Sequence, residues 1–243
     1  IAMLTNSFVP CNGRFPTLIA IITMFFTGTE AGPGRTLLSA LLLTGVIVLG
    51  VFLTFQVSRL LSATVLKGVP SSFTLELPPY RRPRVGQVIV RSVLDRTVFV
   101  LGRAVMVAAP AGLLIWVLAN VQAGDVSLLA HCTGFLDPLG RALGMDGVIL
   151  TAFILGFPAN EIVIPIMLMA YLATGSLTGY ESLDALRAML VDQGWTWLTA
   201  VCTMLFSLVH WPCSTTCMTI GRESGSWKWT LLGFALPTAI GMA

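Results

Sequence analysis

The feature that most limits the fold of this chain is a charge-free run, from Gln193 to Gly221, with a proline near its middle. A run of this length can cross a bilayer as a helix. Pro212 has no N–H and its ring clashes with the carbonyl four residues earlier, so the helix should break there and free backbone carbonyls. In hydrocarbon such carbonyls are tolerated only where they face protein or water. The run therefore predicts the wall of a polar path through a membrane.

The composition agrees with a membrane protein. Hydrophobic residues make up 56% of the chain and charged residues only 10%, whereas roughly a quarter of the residues in soluble domains are charged. No Gly-x-x-x-x-Gly-Lys-Ser/Thr phosphate loop occurs, so this chain by itself is not expected to be an enzyme. We predict an all-α integral membrane protein with about six transmembrane helices, three of them broken, and no nucleic-acid partner.

Two Pro-Cys pairs, Pro10-Cys11 and Pro212-Cys213, lie near opposite ends of the chain, each between apolar stretches. Corresponding interrupted helices in two halves of a transporter indicate a binding site at a repeat interface. A third interruption runs from Gly156 to Glu161. The alternative is that the prolines are kinks packed on neighbouring helices. The pattern predicts an internal repeat around a polar path.

The distribution of basic residues predicts the orientation. Eight of the fourteen Lys and Arg lie between Arg59 and Arg103, and cytoplasmic loops collect such residues. We therefore place this part and both chain ends in the cytoplasm, with an external loop from Asp125 to Gly147. The predicted segments are 1–61, a first broken segment; 62–103, a cytoplasmic connector with a basic interfacial helix; 104–194, a central membrane region; and 195–243, a second broken segment.

Two thiols are the leading candidate metal ligands. Cys11 and Cys213 each follow a helix-breaking proline, where a thiol can face a cavity and freed carbonyls can add oxygen ligands. Sulfur with nitrogen or oxygen partners suits a transition metal, although a free cysteine can also be a small buried hydrophobe. Cys217 lies one helical turn after Cys213 and could add a second thiol, but its neighbours suit packing equally. Packing is the expected role of Cys202.

Glu161 and His210 are further candidate ligands. Glu161 is the sole acidic residue between Asp146 and Glu181, and a carboxylate in a membrane is costly unless it is paired, protonated or on a pathway. Its alternative role is an ion pair with Arg14, which is also stranded in an apolar segment. His210 could supply an imidazole ligand, or it could be a hydrogen-bonding residue of the core.

Four motifs follow one another along residues 10–229. They are Pro10-Cys11-Asn12-Gly13-Arg14-Phe15-Pro16; Leu75-Glu76-Leu77-Pro78-Pro79-Tyr80-Arg81; Gly156-Phe157-Pro158-Ala159-Asn160-Glu161-Ile162; and His210-Trp211-Pro212-Cys213-Ser214-Thr215-Thr216, continued by Arg222-Glu223-Ser224-Gly225-Ser226-Trp227-Lys228-Trp229. Together they resemble the membrane portion of the bacterial ferrous iron transport protein B (FeoB) family. The resemblance implies a gate-type repeat with Cys11 and Cys213 on the cysteines of the two gate motifs. Cys217 stands where an aliphatic residue is expected, which weakens a ligand role for it.

The resemblance also implies a function. It implies the membrane pore of a ferrous iron uptake transporter in the bacterial inner membrane, with Fe²⁺ as the transported substrate. It further implies a cytoplasmic N-terminal G domain that binds and hydrolyses GTP with Mg²⁺. We expect the chain to be a fragment without that domain, since it begins at Ile1 inside an apolar stretch. Small cytoplasmic accessory proteins and a homo-oligomer are the other expected partners, beside the lipid bilayer.

Two alternatives come from different functional classes. A carrier for nucleosides or other polar solutes would also suit a gate-type repeat, although thiols at both breaks disfavour it. A membrane thiol-redox enzyme could use Cys213 and Cys217. Such enzymes usually carry two cysteines separated by two other residues, as in Cys-x-x-Cys. This spacing does not occur in the sequence.

Overall fold

The computed structural model describes residues 2–28, 32–64, 85–173, 175 and 182–242. This part is almost entirely helical, apart from an antiparallel ribbon of β1 (Gln122–Ala123) and β2 (Val126–Ser127). The helices are α1 (Ala2–Thr5), α2 (Phe15–Ile22), α3 (Pro33–Thr64), α4 (Val85–Arg91), α5 (Phe99–Asn120), α6 (Leu128–Ala142), α7 (Gly147–Leu155), α8 (Val163–Tyr171), α9 (Leu183–Asp192), α10 (Trp197–Val209), α11 (Ser214–Ser224) and α12 (Trp227–Met242). Short 3-10 or π turns occupy Asn6–Phe8, Thr23–Thr27, Ser92–Val98 and Asn160–Ile162.

Two helical stretches in the described part are long and apolar enough to cross a membrane. They are α3 and the stretch Trp197–Ser224, which contains α10 and α11. Helices α6 and α7, bent by 109° at their junction, would add a third. The shorter apolar helices are Phe15–Thr27, Val85–Leu94, Val105–Asn120 and Asn160–Tyr171. The described residues thus form an all-α membrane protein, while the six crossings and their orientation stay predictions.

The expected external loop from Asp125 to Gly147 is mostly helical, so that part of the expectation was wrong. The Ser127 hydroxyl caps α6 by accepting a hydrogen bond from Ala130 N at 3.2 Å. Two glycines of this segment, Gly140 and Gly147, serve close backbone packing. A Cβ on Gly147 would lie 2.0 Å from the Thr133 carbonyl oxygen. Glycine therefore allows the start of α7 to contact α6 directly.

The predicted connector, 62–103, lies partly outside the described residues, which resume at Val85. From Val85 to Asn120 the chain is helical without interruption. This agrees with the prediction of a helix in the basic part of the connector. The position of that helix at a membrane surface stays a prediction. The boundaries of the four predicted segments are likewise predictions.

Two apolar clusters hold the described helices together. The larger joins α7, α8 and α9 to Trp195 and Phe206. The smaller joins α1, α3 and the end of α10 around Phe8 and Leu208. A Cβ on Gly50 would lie 2.4 Å from the Phe8 carbonyl oxygen. Glycine at this position therefore lets α3 pack directly against the first broken segment.

Candidate functional site

A cavity of about 170 Å³ lies where three interrupted segments meet. Its described lining residues are Asn6, Ser7, Val9, Pro10, Cys11, Arg14, Asn160, Pro212, Cys213 and Thr216. They come from the break before α2, the break between α10 and α11, and the break between α7 and α8. The cavity thus brings together the two Pro-Cys pairs from opposite ends of the chain.

The break between α10 and α11 has the cause that the sequence indicates. Helix α10 ends at Val209, three residues before Pro212. Because a proline has no N–H to donate, the carbonyl of Leu208 loses its helical partner. Arg14 Nη1 replaces that partner and donates to Leu208 O at 2.8 Å. The neighbouring carbonyl of Ser207 lies 2.9 Å from Nδ1 of His210.

Arg14 joins the first and second breaks through backbone carbonyls. Its guanidinium donates to the carbonyls of Ser7 and Leu208 at 2.8 Å, of His210 at 3.0 Å and of Trp211 at 3.1 Å. The side chain is only 3% exposed. These four carbonyls accept hydrogen bonds from the guanidinium, so they are not available as the oxygen ligands that the sequence suggested.

The two leading thiols lie on the same cavity. Cys11 is exposed and Cys213 is partly buried. Cys213 directly precedes α11, and its Sγ lies 3.1 Å from Thr215 Oγ1 and 3.2 Å from Thr216 Oγ1. These hydroxyls can donate hydrogen bonds to the sulfur, and the helix N-terminus favours a negative charge there. Both cysteines therefore line one cavity, and their joint contact with a single ion stays a prediction.

Asn160 is a lining residue that sequence reasoning missed. The Asn160 amide nitrogen Nδ2 lies 3.8 Å from Cys11 Sγ, and its oxygen Oδ1 lies 3.4 Å from His210 Nε2. Asn160 is only 6% exposed. The same break is tied to α11 by a hydrogen bond from Ser214 N to Phe157 O at 2.9 Å. The burial of this amide, which makes hydrogen-bond partners necessary, is a property of the fold and is not visible in the sequence.

Glu161 is exposed and lies outside the described lining of the cavity. Glu161 lies beside Gly13 of the first broken segment, where an added Cβ would lie 3.3 Å from Glu161 Cγ. Within the described residues Arg14 and Glu161 form no ion pair, because the hydrogen bonds of the guanidinium go to carbonyls. The carboxylate is thus beside the first gate motif without neutralising Arg14.

The remaining candidates lie away from the cavity surface. His210 is 1% exposed and contacts the carbonyls of α10 and the Asn160 amide, so it holds the second break in shape. Cys217 Sγ lies 3.8 Å from Pro212 O and outside the described lining. Cys202 is partly buried and packs on the larger apolar cluster, as predicted.

The described residues contain no group of three His, Cys, Asp or Glu side chains close enough to hold a metal ion. The described lining of the cavity offers thiol, amide, hydroxyl and backbone carbonyl groups instead. Few and mixed ligands favour brief binding rather than a permanent site, as conduction requires.

Two family models match the sequence. The model described as "Ferrous iron transport protein B C terminus" matches residues 43–95. The Gate model, described as "Nucleoside recognition", matches residues 101–227, which is more than half of the chain. The two matches meet inside the predicted cytoplasmic connector.

Curated relatives carry iron transport in their names. The chain is 27% identical to an "Fe(2+) transporter FeoB" of Staphylococcus aureus (strain COL), over 97% of the chain and 34% of that protein. It is also 27% identical to an "Fe(2+) transporter FeoB" of Methanocaldococcus jannaschii, over 95% of the chain and 34% of that protein. The chain is 23% identical to an "Fe(2+) transport protein A/Fe(2+) transporter FeoB fusion protein" of Porphyromonas gingivalis, over 95% of the chain and 32% of that protein. It thus spans about a third of the length of these relatives. No solved structure matches the chain.

Proposed function

Because the chain belongs to the Gate family and to the C-terminal membrane portion of the FeoB family, we propose that it is the membrane pore part of a ferrous iron uptake transporter. Fe²⁺ is its transported substrate. The observation that carries the proposal is the shared cavity, which is lined by Cys11 and Cys213 from opposite ends of the chain.

The chemistry of the cavity suits brief binding of Fe²⁺. Thiolate sulfur with amide and hydroxyl oxygens forms a mixed ligand set that a borderline divalent metal accepts. Copper and zinc bind the same thiols more tightly, so affinity alone does not select iron. In this proposal Cys11 and Cys213 are transient ligands. His210 and Cys217 act through the second break, His210 by holding its carbonyls and Cys217 by packing.

Glu161 serves the path from outside the cavity lining. Its exposed carboxylate lies beside the first gate motif, where a Cβ on Gly13 would lie 3.6 Å from Glu161 Oε1. A negative charge near a narrow polar path raises the local concentration of cations and speeds their arrival. We assign Glu161 to attracting Fe²⁺ toward Cys11.

The rest of the transporter is proposed from the relatives. The chain covers about a third of their length, which leaves room for a G domain that binds GTP with Mg²⁺ and drives uptake. One relative is named as a fusion with Fe(2+) transport protein A, which supports a small accessory protein as a partner. We place the protein in the bacterial inner membrane as a multi-pass protein with both ends of this chain cytoplasmic, in a homo-oligomer.

Uptake of radiolabelled Fe²⁺ tests the proposal. The full-length protein that contains this chain is expressed in cells that lack other ferrous iron uptake. Cys11→Ser and Cys213→Ser should each reduce uptake at least several-fold per molecule in the membrane, because a hydroxyl is a poorer ligand than a thiolate. Cys202→Ser, the matched control, should leave uptake unchanged. Normal uptake by the Cys11/Cys213 double serine variant contradicts the ligand assignment.

The same cells separate the alternatives. Labelled nucleoside offered in place of Fe²⁺ should not enter through the protein, although the Gate model is described as nucleoside recognition. The thiol-redox alternative is also disfavoured, because such enzymes usually carry a Cys-x-x-Cys motif and Cys213 and Cys217 are separated by three residues. Uptake of nucleoside that depends on Cys11 would favour a solute carrier.

A further inference from the structure

The Asn160 side chain lies between the imidazole of His210 and the thiol of Cys11. The terminal atoms of its amide lie 3.4 Å from His210 Nε2 and 3.8 Å from Cys11 Sγ. With 6% exposure it lines the cavity from a nearly buried position. Its orientation therefore decides which amide atom an ion in the cavity meets.

The contacts of His210 fix the hydrogen on its ring. Nδ1 lies 2.9 Å from the carbonyl oxygen of Ser207 and 3.1 Å from that of Phe206. Carbonyl oxygens only accept hydrogen bonds, so Nδ1 carries the hydrogen. A second hydrogen on Nε2 would add a charge to a ring that is 1% exposed and whose own carbonyl already binds Arg14. Nε2 is therefore the acceptor of the ring.

An acceptor at Nε2 needs a donor from Asn160. The amide oxygen and nitrogen exchange places on a half rotation of the amide, and the hydrogen-bond partners decide between the two orientations. With the NH₂ group toward His210, the amide donates to Nε2. The oxygen then faces Cys11 Sγ and the cavity. The opposite orientation would set two acceptors, Oδ1 and Nε2, against each other.

We propose that the Asn160 amide oxygen is a further metal ligand, which holds Fe²⁺ together with the Cys11 thiolate and is oriented by His210. The inference rests on the proposed function. In a divalent site with a metal–sulfur distance of about 2.3 Å and a metal–oxygen distance of about 2.1 Å, tetrahedral ligands are about 3.6 Å apart. The observed 3.8 Å fits this separation closely.

An amide oxygen also explains how the site can release its ion. Two thiolates with further charged ligands would hold a transition metal tightly, whereas a neutral carbonyl oxygen is a weaker and harder donor. It contributes a bond without adding a charge. Asn160 therefore tunes the affinity of the cavity for Fe²⁺.

Anaerobic titration of the full-length protein in detergent with Co²⁺ tests this role. Co²⁺ bound to a thiolate absorbs in the near ultraviolet, so Cys11-dependent absorbance reports binding at the cavity. Asn160→Leu, which has a similar size and no polar atoms, should weaken Co²⁺ binding by about ten-fold or more. Asn160→Asp should tighten it at least several-fold, because one carboxylate oxygen adds charge at the ligand position while the other accepts a hydrogen bond from a His210 ring that now carries a hydrogen on Nε2. Cys202→Ser is the control and should bind as the wild type does.

A second comparison tests the orienting role of His210. His210→Phe should weaken Co²⁺ binding in the wild-type background and cause no additional loss in the Asn160→Leu background. Such non-additivity marks two residues that act through one contact. Equal losses in both backgrounds overturn the orienting role.

The outcomes separate the two proposals. Absence of any Cys11-dependent absorbance in the wild-type protein contradicts the thiolate site of the proposed function. Normal absorbance with unchanged affinity in Asn160→Leu contradicts the Asn160 inference alone. Should Asn160→Leu not fold, Asn160→Asp decides, since it keeps the shape of the side chain. Unchanged or weaker binding by Asn160→Asp then overturns the inference.

Discussion

At the scale of single residues, the two charged groups that stand alone in apolar segments have opposite surroundings. Arg14 is buried and its guanidinium is bound by four carbonyls. Glu161 is exposed, and no described residue forms an ion pair with it. The sequence suggests that they pair because both charges are costly in a membrane. Backbone carbonyls freed by proline, which a sequence pattern does not display, satisfy the arginine instead.

Arg14→Met should destabilise the protein by about 3 kcal/mol or more, because it leaves buried carbonyls without donors. Arg141→Met is the matched control. Arg141 is 76% exposed at its side chain and pairs with Asp137 one turn away, and such exposed pairs contribute about 1 kcal/mol or less. Chemical unfolding of both variants in detergent, followed by tryptophan fluorescence, measures the difference. Equal stability of the two variants would falsify the role given to the four hydrogen bonds.

Glu161→Gln should leave stability unchanged and reduce Fe²⁺ uptake several-fold, because the amide keeps the shape of the exposed side chain and removes its charge. The reduction should shrink at high ionic strength, where exposed charges are screened. Uptake measured per folded molecule at two salt concentrations checks this. A variant that is unstable in detergent yet transports normally would show that Glu161 is a structural partner.

The part of the candidate site that depends on proline could be predicted from the sequence. Proline removes a donor wherever it occurs, so Cys11 and Cys213 could be assigned to breaks from sequence alone. Asn160 gave no comparable signal, because asparagine is common in turns for local reasons. Its contacts to His210 and Cys11 cross 50 and 149 residues of sequence. Only the fold reveals them.

At the scale of helices, the interruption at Pro212 and the one that precedes Asn160 lie where the sequence indicated them. The segment that forms α6 was predicted as part of a loop, whereas Gly140 and Gly147 allow close backbone contacts where α6 and α7 meet. Glycine is ambiguous in sequence because the same residue suits a turn and a tight interface. Which of the two roles a glycine has depends on the segment of the fold that packs against it.

Gly50 offers a test of one such interface. Gly50→Ala should destabilise the protein by about 1–3 kcal/mol, because the new Cβ would lie 2.4 Å from the Phe8 carbonyl oxygen and push α3 away from the first break. Gly45→Ala in the same helix meets nothing within 4 Å and should stabilise it by up to about 1 kcal/mol. Thermal unfolding in detergent compares them. Effects of the same sign at both positions would contradict this contact.

At the scale of the whole molecule, the orientation in the membrane is predicted from charge alone. The basic connector should face the cytoplasm and the ribbon of β1 and β2 should face outward. Ser72 lies in the connector, outside the described residues, and Val126 is 49% exposed in the ribbon. We expect a cysteine at Val126, and not one at Ser72, to react with a membrane-impermeant thiol reagent on intact cells. The reverse labelling pattern would invert the topology.

The hydrogen bonds of Arg14 also have a consequence for the order in which the protein is made. Arg14 and Leu208 are separated by 194 residues, and chains grow at about 5–20 residues per second. The arginine is therefore synthesised about 10–40 s before the carbonyls of the second break. During that interval the Ser7 carbonyl is the one partner of the four that has been made, and an arginine at the centre of a membrane costs up to about 3 kcal/mol. A nascent chain that stops before α10 should consequently fail to hold its first broken segment in the bilayer.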